Sequence, residues 1–529
     1  RLEVRQAELA DAAAIVDLVR RSYTDLPGYT EVEVRAQINN FGQGCFVAEL
    51  DEGIAGYCAS IRVPERIALS PHTWREITGR GLGSRHDPTG DWLYGYEMCV
   101  DPKVRGRRLG RRLYEARREL AESLGLKGIA FGGRMPNLAR YKKRVKGPED
   151  YLEQVEAGRI HDPVIRFQLA NGFQPLAVLE DYLPSDAKSL GNAALMVWRN
   201  PFVEEGDVKT SALALGVESV RIACCQFQAR AVKEFEEFLR NVEYFVDIAA
   251  DYRSDFILFP ELFTLQLLSF EKEELSPLEA IEKLSTYTPR IRDALSSMAL
   301  KYNINIIGGS HPTRTGDGDI HNVAFVCLRD GAVHEQEKIH PTPNERYWWN
   351  IQGGDSIGAI QTDCGPIAVL ICYDSEFPEI SRRVVDEGAR ILFVPFCTDN
   401  RQGYMRVRYC AQARAIENQC FVAMAGNVGN LPNVQNMDIQ YAQSCILTPC
   451  DFPFARDGIA AEASDNVETL TIGDVNMSDL RWARAEGTVR NLHDRRFDLY
   501  EMDWKPKKDR STPLKGEAPR IAPQPPGGG

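Results

Sequence analysis

Three short segments of the 529-residue chain each place a reactive side chain at the end of an apolar run: Phe259-Pro260-Glu261-Leu262, Glu337-Lys338-Ile339-His340 and Leu370-Ile371-Cys372-Tyr373-Asp374. A carboxylate that closes a buried strand is partly desolvated, which raises its pKa and suits Glu261 to general acid–base work. Cys372 is expected at a strand-to-helix turn, near the positive end of the following helix, a position that favours thiolate. An unperturbed thiol has a pKa of about 8.5, so a base beside it is needed before it acts as a nucleophile at neutral pH. Lys338 adds a cation to the set. His311 and His340 offer a Cys–His pairing instead, but the sequence shows no Asn or Asp to orient either, and both read as core or loop residues. Of the thirteen cysteines, Cys224, Cys225, Cys327 and Cys420 read as small hydrophobes.

The elements that must position these residues are read from periodicity. Apolar runs at 221–226, 256–259, 304–308, 324–328, 367–372, 391–395 and 421–426 read as strands. Amphipathic stretches at 232–252, 291–302, 378–387 and 406–418 read as the helices between them, which gives an α/β architecture with helices covering sheets. Toward the amino terminus the pattern predicts a helix over 11–22, a hairpin from 45–50 and 54–61, and a strand over 92–100. That strand leads through Asp101-Pro102 into an arginine-rich helix over 109–124 and a buried strand at 129–131, while 137–161 reads as a polar insertion. The domains are placed at 1–203 and 217–504, with a linker at 204–216 and a disordered tail at 505–529, whose Pro, Gly and charge leave too little apolar content to pack a core.

Charge divides the same way. Residues 1–200 hold 29 Lys+Arg against 27 Asp+Glu, net +2, so the rest carries −14 of the total −12. An overall acidic chain of this kind excludes generic nucleic-acid binding as its main task. No apolar run approaches 18 residues and the N-terminus has no signal-peptide pattern, so no membrane partner is expected. An odd cysteine count without CxxC pairs suggests neither a disulfide framework nor a metal site, and the expected setting is a reducing cytoplasm.

The three reactive segments resemble the carbon–nitrogen hydrolase family, the nitrilase superfamily, in which a Glu, a Lys and a Cys succeed one another in this order. Glu261, Lys338 and Cys372 match one for one, Glu345 in Thr342-Pro343-Asn344-Glu345-Arg346 fits the family's second Glu, and Ala413-Arg414-Ala415-Ile416-Glu417-Asn418 resembles a further family segment. The resemblance covers about 220–500 and implies a four-layer α-β-β-α sandwich, no cofactor for the hydrolase, and a homodimer or larger homo-oligomer. The activity it implies is hydrolysis of a small carboxamide or N-carbamoyl compound through a Cys thioester. Glu261 takes the thiol proton, Cys372 attacks the amide carbon, and Lys338 with the Tyr373 N–H holds the oxyanion, such donors being worth roughly 10²–10³ in rate each. Tyr-Asp after the Cys leans toward amides, with a nitrile as the alternative substrate.

In the first half, Val104-Arg105-Gly106-Arg107-Arg108-Leu109-Gly110 comes after a strand and opens a helix, offering backbone N–H groups, a helix dipole and guanidinium groups to a phosphate. This loop resembles the pyrophosphate loop of the GCN5-related N-acetyltransferase (GNAT) family, with Arg105 and Gly110 matching and Arg108 standing where the family has a glycine. The resemblance covers about 4–197 and implies a mixed sheet with helices that binds acetyl-CoA or CoA. Its cofactor-binding residues would be Met98 and Val100 on the preceding strand, then Arg105, Gly106, Arg107, Arg108 and Gly110. The family's usual general-acid Tyr aligns with Gln168, so the resemblance implies CoA binding more than acetyl transfer. An N-acetyltransferase with a secondary hydrolase is the alternative activity.

Overall fold

The computed structural model describes residues 2–50, 53–104, 106, 108–203, 218–271, 274–432, 434 and 439–505. Arg105, Arg107, the linker at 204–216 and all of the tail but Lys505 lie outside the described residues. The described residues divide into two compact units, one holding 2–203 and the other most of 218–505.

The first unit is a mixed sheet of seven strands, β1 (Glu3–Gln6), β2 (Phe46–Leu50), β3 (Gly53–Val63), β4 (Trp92–Val100), β5 (Gly128–Arg134), β6 (Gln174–Leu179) and β7 (Ala193–Arg199), in the order β1-β2-β3-β4-β5-β7-β6. Only the β4–β5 pair is parallel, and its register runs from Trp92↔Gly128 to Gly95↔Phe131. Past Gly95 the two strands part, and β4 continues to Val100 paired with β3. The helix Leu109–Ser123 turns Leu109, Leu113, Tyr114, Arg117 and Ala121 inward at spacings of three and four, the period of one helical face. Arg117 is buried among them, its guanidinium donating to Ser60 Oγ at 2.9 Å and to the Ala59 carbonyl at 2.7 Å, which answers the cost of burying its charge. The segment expected as a polar insertion folds into helices instead. Pro148–Glu156 buries Tyr151, Leu152 and Val155, one apolar edge too narrow to show in a charged background.

The second unit contains β8 (Ser219–Gln228), β9 (Phe256–Leu258), β10 (Asn305–Ile307), β11 (His311–Arg314), β12 (Ile320–Cys327), β13 (Val333–Glu337), β14 (Ile367–Val369), β15 (Ile391–Phe396), β16 (Phe421–Val428), β17 (Cys445–Leu447), β18 (Ile459–Glu462) and β19 (Thr469–Asn476). One half-sheet runs β11-β12-β10-β9-β8, with β13 on β12 and β19 on β8. The other runs β16-β15-β14, with β17 and β18 beyond β16, and the halves join where Asn427 and Val428 pair with Phe227 and Gln228. Because side chains alternate along a strand, each half-sheet has two buried faces. Ile222, Cys224, Phe256 and Leu258 of one half meet Val369, Phe393, Val422 and Met424 of the other in a shared core, with the Phe256 and Phe393 rings 5.0 Å apart. The alternate set, Ala223, Cys225 and Ile257, packs under Phe235–Asp251 and Thr288–Tyr302. On the far side Pro378–Asp386 and Arg401–Glu417 cover the second half-sheet. The layering is therefore α-β-β-α.

Candidate active site

Glu261, Lys338, Glu345 and Cys372 arrive from four separate segments. Glu261 lies three residues past β9 and is fixed by its backbone: Leu262 N–H donates to the Ser310 carbonyl at 3.1 Å, and Asn427 Nδ2 donates to the Glu261 carbonyl at 2.7 Å. The neighbouring Gly309 has φ +56°, and a Cβ there would stand 2.0 Å from the Pro260 carbonyl, so only glycine lets the two turns approach. Lys338 comes directly after β13, its N–H bound to the Asn322 carbonyl and its carbonyl to Gly354 N–H, both at 2.8 Å. Glu345 is the third residue of the helix Pro343–Trp349. It closes a capping box in which the Thr342 N–H donates to Glu345 Oε2 at 2.7 Å.

These side chains meet out of water. Lys338 Nζ donates to Glu261 Oε1 and to Glu345 Oε2, each at 2.7 Å. Asn322 Nδ2 bridges the same two carboxylates, at 3.0 Å to Glu261 and 2.9 Å to Glu345. Relative exposures are 2% for Glu261, 1% for Lys338, 5% for Glu345, 6% for Cys372 and 0% for Asn322, so every charge in the group depends on its partners. Cys372 sits in the left-handed region at φ +48°, a strained conformation for a residue with a side chain. Its Sγ lies 4.0 Å from the Cys397 carbonyl and interacts with both Glu261 and Lys338.

The two carboxylates are pushed apart electrostatically. Burial, reinforced by the neighbouring Glu345, raises the Glu261 carboxyl to about 7 against the pull of Lys338. Glu345 is also buried, but Lys338, the Thr342 N–H and Asn322 together hold it below the usual carboxylate range. Burial works against the Lys338 ammonium, yet the two carboxylates keep it charged far above neutral pH. The expectation that Cys372 rests as thiolate is corrected: burial and the Glu261 charge push its thiol well above the ordinary value. Cys372 itself opens a five-residue 3-10 turn, Cys372–Glu376, too short to sum a strong dipole against that desolvation. Tyr373 lies in its first turn, where backbone N–H groups lack intrahelical acceptors.

Asn322, Asp374 and Arg414 hold the pocket together. The buried Asp374 carboxylate accepts from Ile339 N–H at 3.0 Å, His340 N–H at 2.8 Å and His340 Nδ1 at 2.8 Å. His340 thus has the Asp partner that the sequence did not reveal. His311 is neutral, burial having lowered it to about 3, and its Nδ1 contacts Thr264 Oγ1 at 2.8 Å. Arg414 donates to the Ser375 carbonyl at 2.9 Å and the Glu376 carbonyl at 3.1 Å, tying the long helix to the cysteine turn. Asn322 carried one faint signal, a polar residue, next to His321, at the head of an otherwise apolar strand.

In the first unit, Met98 and Val100 lie on the part of β4 that β5 has left. Met98 N–H is answered by the Glu97 carboxylate at 3.0 Å and its carbonyl by Tyr23 Oη at 2.7 Å, while Val100 accepts from Ser22 Oγ at 3.4 Å. Gly106 has φ +89° and Arg108 φ +64°, so Arg108 takes up the backbone conformation for which glycine is suited. Gly110 lies in the first turn of the helix, where a Cβ would press to 3.0 Å of the Phe167 ring. The open backbone edge and the exposed start of Leu109–Ser123 fit a CoA-type ligand at its phosphate end. At Met98 a pantetheine chain would have to displace Glu97.

A four-layer α-β-β-α unit preceded by a mixed sheet with one divergent parallel pair is the class that this fold defines. The carbon-nitrogen hydrolase family model matches residues 221–485, and the acetyltransferase (GNAT) family model matches 12–143. The chain belongs to the carbon–nitrogen hydrolase family and carries a GNAT domain ahead of the hydrolase domain. It is 45% identical over 505 residues to a probable hydrolase, YhcX, of Bacillus subtilis, covering 96% of this chain and 98% of the relative. A 2-oxoglutaramate amidase of the same organism is 27% identical over 217 residues, 40% of this chain and 78% of that one. The crystal structure of an amidase from Nesterenkonia sp. aligns with 54% of this chain and 97% of its own, at 22% identity and a TM-score of 0.43. Among the described residues no helix is long and apolar enough to cross a membrane.

Proposed function

We propose that the second unit hydrolyses a small carboxamide or N-carbamoyl compound, with Cys372 as nucleophile. One observation carries this reading: Lys338 Nζ stands 2.7 Å from both Glu261 and Glu345 in a buried pocket shared with the Cys372 thiol. Ionised Glu261 takes the thiol proton as sulfur attacks the carbonyl carbon, and the developing oxyanion is held by the Lys338 ammonium and the Tyr373 N–H. Protonated Glu261 then passes its proton to the leaving nitrogen, releasing ammonia and a thioester. Water, deprotonated by Glu261, attacks the thioester, the acid leaves, and the thiol is restored. Glu345 stays ionised throughout and keeps Lys338 charged and in place. The amidase among the relatives supports an amide over a nitrile. Ammonia release from an amide panel should fall at least a thousandfold in Cys372→Ala, and turnover at the parent rate would reject the assignment.

A second reading, for the first unit, rests on the open edge of β4 and the Arg108 turn. We infer that these hold acyl-CoA, the Arg108 guanidinium and the N–H groups of the first helical turn facing its phosphates. Bound there, the cofactor would supply an activated acyl group. Buried Gln168 has no acidic proton to give a departing thiolate, so these residues support holding the cofactor more than transferring its acyl group.

A further inference from the structure

Asn322 is fully buried near the start of β12, and among the described residues its Oδ1 accepts no hydrogen bond. A buried acceptor left unpaired is costly, so the amide is held in this orientation by its other end. Turned over, it would set Oδ1 against two carboxylates.

The two protons of Nδ2 go to different carboxylates, Glu261 Oε1 at 3.0 Å and Glu345 Oε1 at 2.9 Å. Lys338 Nζ joins Asn322 on Oε1 of Glu261, but on Glu345 it takes Oε2, which also accepts the Thr342 N–H. Both oxygens of Glu345 are therefore engaged. On Glu261 the two donors share Oε1, and Oε2 is left to Cys372, the further side chain hydrogen-bonded to this carboxyl. A carboxylate with donors on both oxygens resists protonation, whereas one with an oxygen turned to a thiol can receive a proton.

An amide suits this position because it supplies two protons and no charge. A carboxylate there would add a third like charge, and an ammonium a second cation that holds Glu261 ionised. The Asn322 carbonyl also accepts the Lys338 N–H at 2.8 Å, so one residue sets the cation and both carboxylates.

We propose that Asn322 is the positioning residue that assigns proton transfer to Oε2 of Glu261 and denies it to Glu345. The assignment deepens the hydrolase reading and rests on it. The proton leaves the Cys372 sulfur for Oε2 as the S–C bond forms, and it passes from Oε2 to the leaving nitrogen as the C–N bond breaks. Among the described residues the titratable groups that face Glu261 are Lys338, Glu345, Cys372 and Cys397, just past β15. Asn322 does not titrate, and it acts on this set through where its protons lie.

The test compares the full chain with Asn322→Leu, which keeps the bulk and removes both donors, and Asn322→Ser, which keeps one. In Asn322→Leu the acid limb of kcat/KM for ammonia release should move up by about one pH unit, which is about tenfold in rate below the midpoint and far less above it. Asn322→Ser should move it less. The pH dependence of Cys372 labelling by iodoacetamide, followed on its peptide by mass spectrometry, should shift in the same direction. A loss of activity uniform in pH, with the acid limb in the parent's place, is what a packing role gives and overturns the proposal. If the parent releases ammonia from no amide, the hydrolase reading falls, and the labelling profile still decides whether Asn322 governs the pair. If Asn322→Leu does not fold, Asn322→Ser is read in the same two ways, and profiles superimposed on those of the parent refute the positioning role.

Discussion

The two units solve the placement of polar groups in opposite ways. In the hydrolase pocket four ionisable side chains are driven into the interior and made to satisfy one another, with distances near 2.7 Å setting their protonation. At the divergent strands of the first unit the polar groups on offer are backbone ones, released from strand pairing because β5 leaves β4 after Gly95 and answered instead by Glu97, Tyr23 and Ser22. The first arrangement is chemistry by side-chain type, while the second is recognition by geometry. A substitution should therefore strike the two differently.

The sharpest break comes at Lys338. Replacing it by Met leaves two buried carboxylates facing each other without their shared cation. This is expected to cost about 3–5 kcal/mol of stability and to lower kcat/KM for amide hydrolysis at least a thousandfold. Urea unfolding and ammonia release would measure the two losses. Unchanged stability would show that the pocket is not an interlocked charge group.

A smaller effect separates the carboxylates by pH. Only ionised Glu261 can take the thiol proton, so kcat/KM should rise as pH passes upward through about 7. In stability the same group acts in the opposite sense. Its folded pKa lies above the unfolded value of about 4.3, so its contribution is full below that value and lost as pH rises to about 7. Glu261→Gln should therefore flatten the fall of melting temperature between pH 5 and 8. Glu345, held low, contributes stability above the usual carboxylate range that disappears on acidification. A melting temperature that falls with rising pH equally in parent and variant would remove Glu261 as the source.

The smallest effect belongs to the first unit. Arg108→Gly relieves a left-handed backbone and should stabilise by about 1 kcal/mol or less, while reducing the rise in melting temperature produced by millimolar CoA. A parent protein that shows no shift with CoA would count against the cofactor reading altogether.

These contrasts also explain what was legible in the sequence. Glu261 and Cys372 could be found because each ends an apolar run, and Lys338 because it stands between them in the order that the family resemblance implies. Most of the strands expected from apolar runs form within a few residues of their expected ends, since buried strands announce themselves by continuous apolar content. The strand Val333–Glu337 that delivers Lys338 was not legible: its Val-His-Glu-Gln-Glu run is largely exposed and has no apolar pattern. The hydrogen bonds of Asn322 and Asp374 were not legible either, for their partners come from segments far away in sequence. The thiolate expectation failed because a local rule about helix ends met a desolvation that only the packed structure reveals. The parting of β4 and β5 is a matter of register, which no residue type encodes.

The grip of Asp374 on Ile339 and His340 reaches beyond hydrogen bonding. Because one carboxylate two residues from the sulfur clasps the chain just past the ammonium, nucleophile and electrophilic support are registered to each other by a group remote from the reacting atoms. The pocket walls are then free to diverge from one descendant to the next, toward larger or differently charged amides, while the spacing on which bond cleavage depends is inherited intact.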